Sequence, residues 1–146
     1  MTQRHWIQNE EFMLVTTVTR KRVPYFRNAA VAREAVEQLY RTQERHPFIL
    51  YGFVVMPDHC HILLRIPPGN GVSRIMHSYK TGLVFATGIC PLWQRRFHVR
   101  CVQDAVAVLR YLHSDPVRRE IATTPAAYPW SSASGRWDVT PIDWYS

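Results

Sequence analysis

The chain has 146 residues, with 18 Lys and Arg against 11 Asp and Glu, a formal charge of +7, and 47% hydrophobic residues. That length suits one compact domain with its own core, and the hydrophobic content excludes disorder for the bulk of it. No apolar run reaches the roughly 18 residues of a membrane span, and Met1 to Phe12 has no secretory h-region, so a cytoplasmic protein without a membrane partner is expected.

Of the basic residues only Lys21 and Lys80 are lysines; the rest are arginines. Arginine forks match phosphate oxygens and stack on bases, so a basic, Arg-dominated domain points to nucleic acid. Cys60, Cys90 and Cys101 are scattered and form no CxxC pair. That spacing predicts free thiols rather than a disulfide framework or a zinc ribbon.

Phe12 to Thr19 is β-branched and apolar and predicts a first strand. Asn28 can cap a helix to about Glu44, where Val31, Ala35, Val36, Leu39 and Tyr40 recur at helical spacing. Phe48 to Met56 predicts a second strand, Pro57-Asp58 a turn, and His59 to Ile66 a third strand, so these two form an antiparallel hairpin. From Gly71, Val72, Ile75, Met76, Tyr79 and Leu83 fit one helix face. Leu92 to Arg100 predicts a fourth, short strand. Val102 to about Asp115 is helical again, with Pro116 marking its end or a kink. Thr123 to Ser146, rich in Pro and Trp, predicts an irregular tail packed on a single domain of residues 1–146. The order β-α-β-β-α-β-α predicts an α+β, ferredoxin-like antiparallel sheet with helices on one face.

Strand side chains alternate, so His59 and His61 point to one face and Cys60 to the other. Two such imidazoles can share one divalent metal. On the last helix the apolar stripe is Val102, Ala105, Val106, Leu109 and Leu112. At 100° per residue Tyr111 points about 150° away from that stripe, and Asp115 lies within about 40° of Tyr111. A metal held by His59, His61 and Asp115 beside a tyrosine nucleophile is a workable phosphodiester-cleaving set. The mixed imidazole–carboxylate ligands suit Mg²⁺ or Mn²⁺.

Gly52 to His61, Ser73-Arg74-Ile75-Met76 through Lys80, Leu92 to Phe97, Leu109 to Arg118 and Tyr128 to Ser132 occur in an order that resembles the single-tyrosine HUH transposases, most closely their REP-associated branch. The resemblance implies a ferredoxin-like fold and single-stranded DNA cleavage through a 5′-phosphotyrosine intermediate with a free 3′-OH. It places the paired histidines on His59 and His61, the nucleophile on Tyr111 and the third metal ligand on Asp115. Relatives usually carry an amide at that last position, so the carboxylate is a departure.

Arg74, Lys80, Arg95, Arg96 and Arg100 flank the expected site and predict phosphate contacts along a single strand or a hairpin stem. Trp93 suits either base stacking or loop anchoring, and Asp58 either an imidazole-orienting role or a turn. His113 reads as a core or capping residue; Tyr128 and Trp130 read as packing. The competing function is a non-catalytic hairpin-DNA-binding protein on the same fold. Monomer and homodimer remain equal expectations.

Overall fold

The computed structural model describes residues 11–142. The expected lack of a secretory signal at the N-terminus and the last four residues of the expected tail lie outside these. Strands β1 (Phe12–Thr19), β2 (Ile49–Met56), β3 (His59–Arg65) and β4 (Trp93–Val102) form one antiparallel sheet in the order β2-β3-β1-β4. Helix α1 (Ala29–Arg45) joins β1 to β2, and α2 (Val72–Thr87) joins β3 to β4. Helix α3 (Ala105–His113) and the single turn α4 (Asp115–Arg118) follow.

Each element has a local cause. Asn28 Oδ1 accepts the amides of Ala30 and Val31, at 2.9 and 3.3 Å, and so starts α1. Period-two alternation sends Met13, Val15, Phe53, Val55, Cys60, Ile62 and Leu64 into a core with α1 and α2. The intervening Leu14, Val54, Met56 and Leu63 face the other way and pack with Ala105 and Leu112 of α3. The expected helices on one face are therefore the two crossover helices. The C-terminal helix covers the opposite face, and this two-sided burial is why β2 and β3 are apolar at nearly every position.

Two boundaries differ from expectation. Val102 still belongs to β4, because Asp104 accepts the Ala107 amide at 3.1 Å and starts the helix three residues later, at Ala105. The helix ends at His113 rather than about Asp115, and the break expected at Pro116 falls two residues before it; Pro116 sits in the first turn of α4, where its missing N–H costs nothing. The helical run therefore breaks at Ser114, and Asp115 opens a new turn.

Residues 128–132 lie along β2. The Val55 amide donates to the Trp130 carbonyl at 2.8 Å, and Tyr128 Oη donates to the Val55 carbonyl at 2.6 Å. A bridge between Val54 and Ser131 completes a cover over that sheet edge. No helix among the described residues is long and apolar enough to cross a membrane.

Candidate active site

The tight turn at Pro57-Asp58 delivers His59 as the first residue of β3. His59 and His61 then project from the sheet face that α3 covers, while Cys60 enters the α1–α2 core beside Tyr79 Oη at 3.9 Å. Burial pushes the Cys60 thiol up to about 12, so this cysteine is a core residue and no ligand.

Asp115 is carried to the histidines by the break at Ser114. Its Oδ2 lies 3.1 Å from His59 Nε2 and 3.7 Å from His61 Nε2. One ligating atom from each of the three residues falls within 4.8 Å of the others. Both other ring nitrogens are already engaged: His59 Nδ1 meets Asp58 Oδ1 at 2.7 Å, and His61 Nδ1 meets Thr16 Oγ1 at 2.8 Å. With a cation bound, an Nδ1 proton donated outward would leave each Nε2 lone pair free to face it, the usual arrangement around a metal; without one, His59 Nε2 and Asp115 Oδ2 share a hydrogen bond. Two imidazole nitrogens and a carboxylate oxygen, all converging, fit a divalent metal with positions left open.

The electrostatics agree. Burial, and then the neighbouring His59, push the His61 imidazole down to about 4 against the pull of Asp115, so it is neutral near pH 7. Burial alone would raise the Asp115 carboxyl; the hydrogen bond from His59, both imidazoles and Arg118 outweigh it and hold the group below its ordinary value. Asp58 is likewise raised by burial but lowered further by His59 and Arg22, whose Nη1 lies 3.2 Å away. Asp58 thus takes the imidazole-orienting role rather than only making the turn.

Tyr111 stands 61% exposed on α3. The expected shared face with Asp115 does not form, because the helix breaks at Ser114 between the two residues. Asp115 turns inward and is buried, whereas Tyr111 points outward, and Arg118 joins them. The Arg118 guanidinium lies over the Tyr111 ring at 3.8 Å and donates to Asp115 Oδ1 at 3.2 Å.

The five expected DNA-contacting residues do not form one patch. Arg100 pairs opposite Leu14, and His98 opposite Thr16, so both lie on the face of the histidines, and Arg96 joins them by alternation. Lys80 and Arg95 border a cleft between α2 and β4 on the other side, and Arg74 is exposed on the first turn of α2. Trp93 is buried between Phe26 and Tyr79, an anchor rather than an exposed stacking platform. His113 is half-buried, with Nε2 2.7 Å from Ser132 Oγ.

Thr16 and Arg118 were not singled out from the sequence. Thr16 is visible only through the β1–β3 register, which sets it opposite His61. Arg118 carried a usable signal: Tyr111, Asp115 and Arg118 fall at i, i+4 and i+7.

The chain is similar to a REP-associated tyrosine transposase of Escherichia coli K12, 26% identical over 115 residues that cover 73% of this chain and 68% of that one. Its fold is similar to that of a REP-associated tyrosine transposase solved with a REP hairpin. The TM-score is 0.78 at 19% identity, covering 93% of this chain and 90% of the other. The model of the family described as "Transposase IS200 like" matches residues 12–115, and the chain therefore belongs to the IS200-like transposase family.

Proposed function

We propose that this chain is a metal-dependent transposase that cleaves and rejoins single-stranded DNA with Tyr111 as its nucleophile. The observation that carries this reading is the convergence of both Nε2 atoms on Asp115 Oδ2, a carboxylate that Arg118 links to the exposed Tyr111 ring. The hairpin bound to the structural relative supports a hairpin-forming single strand as the substrate.

Tyr111 Oη attacks the scissile phosphorus. The new bond joins phosphorus to the phenolic oxygen, the bond to the 3′ oxygen breaks, and that oxygen leaves as a 3′-OH with a proton. The 5′-phosphotyrosine conserves the energy of the broken bond, so attack by a second 3′-OH rejoins DNA without ATP. Mg²⁺ or Mn²⁺ held by His59, His61 and Asp115 would supply Lewis-acid stabilisation of the charge that builds on the phosphate. Asp58 and Thr16 orient the two imidazoles, and Arg118 holds the Tyr111 ring. Arg96 and Arg100, on the histidine face of β4, are placed to hold phosphates of the strand being cut.

Wild-type protein incubated with a single-stranded hairpin oligonucleotide and Mn²⁺ is expected to give a covalent protein–DNA adduct on a denaturing gel, and Tyr111→Phe none. An adduct that persists in Tyr111→Phe sinks the assignment of the nucleophile. Binding by the wild type without any adduct favours the non-catalytic hairpin-binding protein instead.

A further inference from the structure

Positions 59–103 contain no Asp or Glu, but they contain Arg65, Arg74, Lys80, Arg95, Arg96 and Arg100. The fold gathers that acid-free stretch into β3, α2 and β4. Where α2 meets the first half of β4 a cleft of about 560 Å³ opens. Phe97, which lines it, pairs opposite Thr17 and packs against the α1–α2 core. The cleft therefore lies on the sheet face opposite His59, His61 and Asp115, and is separate from the site described above.

The lining is of two kinds. Phe97, Leu92 and Val84 make an apolar floor, and Lys80 and Arg95, with the His77 imidazole beside them, make a basic rim. Lys80 Nζ donates to the Gln94 carbonyl at 2.8 Å and to the Arg95 carbonyl at 3.4 Å, which ties α2 to β4. An ammonium has three donors, so one remains for a ligand. Inorganic phosphate would use the rim and leave the floor empty; a purely apolar molecule would use the floor and leave the rim unmatched. A nucleotide carries both chemistries, and the cleft is of ordinary ligand-pocket size. A base already paired and stacked in a duplex cannot enter, whereas an unpaired base can.

We propose that this cleft binds one unpaired nucleotide, with its base against Phe97 and its phosphate on the rim of His77, Lys80 and Arg95. The inference rests on the reading of this chain as a DNA-binding protein and adds a subsite away from the cleaved phosphate. A strand held there and at the metal residues wraps around the β4 edge of the sheet, with Arg95 on one side and Arg96 and Arg100 on the other.

The test is equilibrium binding in EDTA, so that cleavage plays no part. Thr81, exposed at the lip of the cleft, is changed to Trp to fill it, and Arg95, also exposed, is changed to Ala. Fluorescence anisotropy with a 12-nucleotide single strand, a flush duplex of the same sequence and deoxyadenosine monophosphate separates the sources, with melting temperatures showing that both variants fold. Thr81→Trp is expected to weaken single-strand binding about tenfold and to leave duplex binding unchanged. Arg95→Ala is expected to lower the slope of log K against log salt by about one. Saturable monophosphate binding that Thr81→Trp abolishes supports the cleft with a free nucleotide as the ligand; single-strand binding alone supports it with DNA as the ligand. Wild-type strand binding that both variants retain in full overturns the cleft and leaves the DNA reading standing. No binding of strand or nucleotide by the wild type overturns both.

Discussion

The guanidinium carbon of Arg118 lies over the Tyr111 ring, 3.8 Å from its centroid, and its Nη1 donates to the Tyr111 carbonyl at 2.8 Å. With its second arm on Asp115, one side chain spans the phenol and the carboxylate that faces both histidines. A planar fork can stack and donate twice at once; a lysine ammonium cannot.

Arg118→Ala is therefore expected to slow adduct formation by about ten- to a hundredfold, because small misplacements of a reacting group cost that much. Arg118→Lys is expected to recover little of it. Single-turnover adduct rates check this against strand affinity, which both variants are expected to keep within about threefold, since one exposed cation contributes a small share of phosphate contacts.

Asp58 and Thr16 hold the outer nitrogens of His59 and His61. Asp58→Ala and Thr16→Val are each expected to weaken Mn²⁺ binding by about ten- to a hundredfold, the usual effect of losing a ligand-orienting partner. Calorimetric titration of Mn²⁺ reads it out. Affinity unchanged in both would show that the imidazoles do not depend on these contacts.

Asp115→Asn brings in the amide usual among the resembling transposases. It removes the charged ligand, so Mn²⁺ affinity is expected to fall on the order of tenfold. Electron paramagnetic resonance of bound Mn²⁺ measures this directly. Adduct formation at saturating Mn²⁺ is expected to survive, because an amide oxygen still offers a lone pair.

The His61 imidazole titrates at about 4 in the fold and at 6.5 when unperturbed. On acidification the unfolded chain takes up that proton first. Metal-free protein is thus expected to hold the His61 contribution above pH 6.5, to lose it progressively from there to about pH 4, and to change no further from this group below that. Urea unfolding in EDTA at several pH values measures the slope, and His61→Gln is expected to flatten it.

Gly52 lies where α3 crosses β2, and a Cβ there would overlap the Leu109 side chain. Gly52→Ala is expected to push α3 off the sheet and cost about 1–3 kcal/mol, as overpacking does. Because α3 leads into Asp115, Mn²⁺ affinity is expected to fall together with the melting temperature.

What the sequence determined by itself about this protein was local. Period-two alternation puts His59 and His61 on one side of a strand and Cys60 on the other, whatever that strand pairs with. The Asn28 cap, the Pro57-Asp58 turn and the helical stripe of α1 depend on residues a few positions apart, and so were legible. The tertiary structure decided what depends on contacts distant in the chain. Thr16 meets His61 across 45 positions through strand register. How closely α3 approaches β2 depends on the missing Cβ at Gly52, which the Leu109 side chain overlies. The basic residues divide between two faces because β4 is an edge strand whose side chains alternate, and a linear chain shows neither an edge nor a face until its neighbours are in place.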